Sequence, residues 1–312
     1  MPNHPGLADL PGCPAEMFDG GESSPQPAFE VIEPDRQIAP FVFNSPHSGS
    51  RYPASFLAAT RLDARAVRQS EDVYVDRLFA AAVKNGAPML RALFPRAWLD
   101  VNREPFELDP KMFDGAVPGF SNTRSARVAN GLGTIPRLVA DGKSIYSSAI
   151  PVEEALARID EVYVPYHRAL RHLIDRTREA FGFAVLIDCH SMPSTVRTAH
   201  LRGRPDFVLG DRHGSSCDRT LTDAIEAALV RRGYDVSRNR PYAGGFITEH
   251  YGRPSDGVHA IQIEVNRALY LHERTLKPSN RFGIVEADIT AMLADLIRRS
   301  GDIAPMSKDA AE

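Results

Sequence analysis

The stretch Phe183-Ala184-Val185-Leu186-Ile187-Asp188-Cys189-His190-Ser191-Met192-Pro193 decides the fold. An unbroken apolar run after Gly182 that ends in polar residues predicts a strand buried on both faces. In open α/β sheets ligands sit outside the carboxyl ends of the strands, so Asp188 and His190 stand where chemistry is expected. Strand alternation turns both to one side and Cys189 to the other. Taken alone, the stretch also fits a hydrogen-bonded structural histidine at a strand end.

Moving outward, Phe41-Val42-Phe43 is a second compact apolar run, and it breaks into Asn44-Ser45-Pro46-His47-Ser48-Gly49. Two strand ends therefore offer histidines. Phe29 to Ile32 predicts a short edge strand, and Pro88 to Phe94 and Ala97 to Val101 predict two more, the latter leading into Asp100-Val101-Asn102-Arg103. Val258 to Val265 predicts another, with Glu264, Asn266 and Arg267 at its end, and Phe207 to Leu209 a further one. Helical spacing marks Asp63 to Asn85, which contains Glu71 and Asp72, then Val152 to Phe181 with a kink at Pro165, Ser215 to Arg232, and Ile284 to Arg299. Gly244 to Pro254 reads as a loop. Between about 105 and 150 the chain is irregular, as a functional covering is more often than a plain connector.

Strands alternating with helices predict an α/β fold with a mostly parallel central sheet flanked by helices. No linker or repeat divides the sequence, so residues 28–300 are expected to form a single domain. Residues 1–27, rich in proline and glycine, are expected to be an extended arm, and 301–312 a polar tail.

The apolar fraction of 43% and charged fraction of 25% are those of a soluble globular protein. A formal net charge of −3 gives no general attraction to nucleic acid or to an anionic membrane. Cys13, Cys189 and Cys217 have no metal-motif spacing and cannot all pair within one chain, which favours a reducing compartment. No signal peptide or membrane-spanning stretch is visible, so a cytoplasmic location is expected.

His47, Glu71 or Asp72, His190 and Glu264 come from four separate segments and are the types that hydrolytic zinc sites use. Such sites take three ligands from His and carboxylate, and a further carboxylate moves the proton of water. A non-catalytic binder of carboxylated ligands has no need of the complete set. Cys189 and His190, being adjacent on a strand, face opposite sides and cannot easily share a proton as a nucleophile pair. His167 reads as a packed helix residue. His250 and His259 read equally as pocket-lining or loop-bound, and Gly244-Gly245 lacks the remaining elements of a phosphate loop.

Asn44-Ser45-Pro46-His47-Ser48-Gly49, Asp188-Cys189-His190-Ser191, Gly244 through Gly252 and His259 through Glu264 together resemble the N-formylglutamate amidohydrolase family. Glu71 through Asp76, Asp100 through Arg103 and Pro165-Tyr166-His167 resemble further blocks of it, and the resemblance spans roughly 40–275. It implies a fold similar to the zinc carboxypeptidases and hydrolysis of an N-formyl amide to formate and a free amino acid. His47, His190 and Asp72, with Glu71 as the alternative to Asp72, are then the ligands of a divalent metal, most naturally Zn²⁺, and Glu264 is the catalytic carboxylate. The expected partner is a small N-formyl or N-acyl amino acid. Arg103, Arg137 and Arg197 are the candidates to grip its carboxylates, since a guanidinium holds both oxygens in one plane. A structural pair with Asp100 or Glu104 is the alternative reading of Arg103. A deacylase for another N-acyl or N-formyl amino acid is the competing activity.

Overall fold

In a computed structural model of the chain, the structure describes residues 27–139, 142–196 and 204–301. All of 1–27 but Pro27, and all of 301–312 but Gly301, fall outside the described residues, as does Arg197. No helix among the described residues is long and apolar enough to cross a membrane.

Seven strands form the main sheet, in the order Phe29–Ile32, Met89–Ala92, Phe41–Ser45, Ala184–Met192, Val258–Asn266, Phe207–Gly210, Val236–Arg238. The expected central strand is the middle one, with Phe41–Ser45 and Val258–Asn266 running parallel on its two sides. Phe207–Gly210 pairs antiparallel with Val258–Asn266, so the sheet is mostly rather than wholly parallel. This is the expected α/β class, with helices flanking a central sheet.

Register explains how an apolar sheet carries a polar site. The odd-numbered Phe41, Phe43, Val185, Ile187, Cys189, Ile261, Ile263 and Val265 join one core with Leu221, Ile225, Val285, Ile289, Met292 and Leu293 of the helices Arg219–Val230 and Phe282–Arg298. Each such buried side chain contributes about 1.5–3 kcal/mol relative to exposure, enough jointly to support buried polar groups on the opposite face. On that face Asn44, Asp188 and Gln262 are register neighbours, and so are His190 and Glu264.

By chain contacts the structure groups into two compact units: His47–Glu71 with Ala92–His167, and Val31–Pro46 with Asp72–Arg91 and Arg168 onward. The second holds almost all of the sheet. The first has little regular structure and is held by ring contacts, Tyr52–Phe56, Phe56–Tyr146 and Phe94–Trp98, and by buried Arg158, which donates to Trp98 O and Tyr146 Oη.

Four elements differ from the sequence expectation. Asp63 to Asn85 is not one helix but the short pieces Ala64–Val67, Val75–Leu78 and Ala81–Lys84, because Glu71 is extended and Tyr74 is left-handed at φ 65°. Ala97 to Val101 is a turn rather than a strand: Asp100 Oδ1 accepts from Asn102 N at 2.9 Å, a local bond that competes with sheet pairing. The segment 244–254, read as loop, contains the helix Phe246–Tyr251. The kink expected at Pro165 is a π-helical turn over Ile159–Tyr163, which separates the helices Val152–Arg158 and Val164–Phe181 and accommodates the missing proline N–H.

Candidate active site

His47 lies two residues beyond the strand Phe41–Ser45, Asp72 in the extended break between short helices, and His190 near the carboxyl end of the central strand. All three are buried, and one ligand-type atom of each lies within 4.8 Å of the others, the one such group among the described residues. Each histidine is turned by a carboxylate. His47 Nε2 is 2.7 Å from Asp100 Oδ1, and His190 Nε2 is 2.8 Å from Asp188 Oδ2, whose other oxygen accepts from Asn44 Nδ2 at 2.8 Å. His190 Nδ1 faces Asp72 Oδ2 at 3.0 Å. A ring nitrogen held by a carboxylate while the other faces the ligand group is how metal-binding histidines are oriented.

Asp72 is itself fixed: its Oδ1 accepts from Ser191 Oγ at 3.0 Å and from Arg267 Nη2 at 3.1 Å, and Arg267 Nε donates to Ser191 Oγ. Glu71, the alternative, points elsewhere, accepting from Tyr52 Oη and Arg68 Nε. The donor set, two histidines and a carboxylate, fits a divalent ion of the zinc type.

Burial works against a proton on His190, but Asp188, Asp72 and Glu264 outweigh it and raise its pKa well above the ordinary range. Burial likewise tends to raise Asp100, yet Arg103, Arg96 and His47 hold that carboxyl well below its usual range. Cys189 is pushed well up by burial and by Asp188, so it remains a thiol in the core. Glu264 is buried, level with His190 on the next strand, and its Oε1 accepts from Gln262 Nε2 at 2.8 Å.

Of the arginines, Arg103 donates to Leu132 O and Asn102 O and lies 3.5 Å from Asp100 Oδ2, which Arg96 also contacts at 2.7 Å. Arg137 pairs with Asp109 at 2.9 Å. His167 bonds to Val101 O, His250 stacks on Phe246, and His259 Nδ1 accepts from Asp218 N. None of these three joins the cluster.

Asp100, Asn44, Gln262, Ser191 and Arg267 support the site, and sequence reading gives none of them that role. Alternation from His190 and Glu264 is the signal for Asp188 and Gln262. No local signal marks Asp100 or Arg267, whose partners are distant in the chain.

Gly49, in the loop carrying His47, has no space for a side chain: a Cβ there would sit 2.2 Å from Phe94 O and 2.5 Å from Leu93 C. Gly49→Ala is expected to destabilise the fold by about 2 kcal/mol or more, read by denaturant melts; an unchanged midpoint would show that this backbone yields.

The chain is thus an α/β protein whose mostly parallel sheet carries a buried His/Asp/His group that could hold a metal ion. Residues 39–271 match the model of the family described as N-formylglutamate amidohydrolase. The chain is 32% identical over 248 residues to the N-formylglutamate deformylase of Pseudomonas aeruginosa, covering 78% of this chain and 87% of that one, and 29% identical to that of Pseudomonas putida over 75% and 82%. The crystal structure of N-formylglutamate amidohydrolase from Ralstonia eutropha JMP134 superposes with a TM-score of 0.81 at 33% identity, over 87% of this chain and 99% of that chain. This chain belongs to the N-formylglutamate amidohydrolase family.

Proposed function

We propose that the protein hydrolyses N-formyl-L-glutamate to formate and L-glutamate, the activity used in histidine degradation, with a divalent metal, zinc being the first choice, held by His47, Asp72 and His190. The observation that carries the metal-dependent reading is the convergence of these three buried side chains with their carboxylate supports. An ion held there would supply Lewis acidity toward the formyl carbonyl and would lower the pKa of water toward neutral.

The chain's own groups do the rest. Asp100 and Asp188 hold the two imidazoles at Nε2, which would leave Nδ1 of each to hold an ion. Ser191 and Arg267 occupy Asp72 Oδ1, which leaves Oδ2 to the ligand set. Glu264 takes the proton of the attacking water and delivers it to the leaving nitrogen.

Arg103 is the first choice for a substrate carboxylate. Burial lowers its pKa, Asp100 opposes that, and Arg96 and Arg127 reinforce it, with Glu107 opposing. Arg96 shares the Asp100 carboxylate with Arg103, so Asp100 does not claim the Arg103 guanidinium alone. Arg137 ranks behind, being paired with Asp109, and Arg197 remains a candidate from sequence. Cys189 and Cys217 are free, buried thiols, which accords with a cytoplasmic setting.

Formate release from a panel of N-formyl and N-acetyl amino acids tests the reading, with N-formyl-L-glutamate expected to give the highest kcat/KM; a better N-acetyl substrate would overturn it. Arg103→Ala should lower kcat/KM for N-formyl-L-glutamate about 10- to 100-fold, as the loss of a charge-assisted pair predicts. An equal loss for N-formyl-L-glutamine assigns Arg103 to the α-carboxylate, and a smaller one to the side chain. No loss for either removes Arg103 from the site.

A further inference from the structure

Gly244 has φ +121°, and a Cβ on it would lie 2.4 Å from Thr248 Oγ1, so this position in the Gly244-Gly245 pair accepts only glycine without strain. The next residue, Gly245, is bonded at both ends: Thr248 Oγ1 donates to its carbonyl O at 2.9 Å, and its N–H points at Gln262 Oε1, 2.8 Å away. A backbone N–H can only donate, so it settles which end of the Gln262 amide is oxygen. The amide nitrogen is thereby turned to Glu264 Oε1, at 2.8 Å. Gln262 and Glu264 are both buried and point to the same face of their strand.

We propose that Gln262 is a positioning residue for Glu264, with the Gly244-Gly245 turn as its anchor: the amide holds Glu264 Oε1 as an acceptor, fixes the rotation of the carboxylate, and assigns proton transfer to the other oxygen. This rests on the role given to Glu264 above. It also gives the glycine pair a role, the supply of one directed N–H.

Two substitutions separate positioning from mere support of the loop. Gln262→Glu keeps an acceptor for Gly245 N–H but no longer donates to Glu264 once ionised, while Gln262→Met keeps the volume and loses both bonds. Steady-state kinetics with N-formyl-L-glutamate at pH 8, on metal-loaded enzyme of measured metal content, should show kcat reduced about 10- to 100-fold in both, as a small misplacement of a reacting group predicts, with KM and metal content within about twofold of wild type. Placed on Glu264→Gln, Gln262→Met should cost no more than about a further twofold, because a residue acting through Glu264 has nothing left to position.

Wild-type kcat in Gln262→Glu would overturn the proposal, as would a Gln262→Met loss that multiplies undiminished onto Glu264→Gln. Should Gln262→Met fail to fold, Gln262→Glu decides alone. Wild-type turnover by Glu264→Gln itself would instead bring down the role of Glu264, and this inference with it; an inactive Glu264→Gln beside a fully active Gln262→Glu overturns only the inference.

Discussion

His190→Ala is expected to abolish metal binding and to reduce formate release from N-formyl-L-glutamate by about 10³-fold, the rate equivalent of the several kcal/mol of transition-state stabilisation that a bound metal supplies. The substitution removes the Nδ1 that faces Asp72 and, with it, the Nε2 that meets Asp188 Oδ2. Metal analysis and activity must fall together; full metal content in the variant would place the ligand elsewhere. The raised pKa of His190 adds a pH signature. With that pKa raised, a proton on His190 competes with the ion, so metal affinity should rise with pH, by up to about tenfold per unit below that pKa. Stability runs the other way in the metal-free form. A folded-state pKa above the unfolded value means that the contribution is fully present below the unfolded pKa and is lost as pH rises through the folded one. Melts of the chelated protein across that range should show its stability declining; no change would mean that His190 is not the protonated group.

The second large effect is Glu264→Gln, expected to lower kcat by about 10²- to 10⁴-fold while metal content is unchanged. Gln fills the same volume on the strand Val258–Asn266 but cannot accept a proton from water, and Glu264 lies outside the His47, Asp72, His190 group. Loss of metal with retained turnover would instead make Glu264 a ligand and shift the proton-transfer role to another carboxylate.

The parts of this structure legible in the sequence are those set by local periodicity. The run 183–193 and the strand end at His47 mark the sheet and its reactive edge, because strands buried on both faces have to be apolar until they reach the site. Local patterning misled where a side chain or a backbone angle overrules it, as with Tyr74 at positive φ inside an apparent helix and Asp100 bonding its own turn. The glycines at 244 and 245 hid the helix that follows them. The choice between Asp72 and Glu71 was open because adjacent carboxylates look alike in sequence; it depends on Ser191 and Arg267 capturing one and Tyr52 and Arg68 the other. Division into two compact units was invisible for a related reason. The chain passes back and forth between them, so no linker marks a boundary.

Removal of metal with a chelator, followed by titration with Zn²⁺ while formate release from N-formyl-L-glutamate is recorded, tests the metal-dependent deformylase reading most directly. Wild-type protein should lose turnover on chelation and regain it as about one ion per chain is bound, and His47→Ala and His190→Ala should not regain it. Undiminished turnover in protein stripped of metal to trace level would contradict the assignment of His47, Asp72 and His190 as the ligands on which the reaction depends.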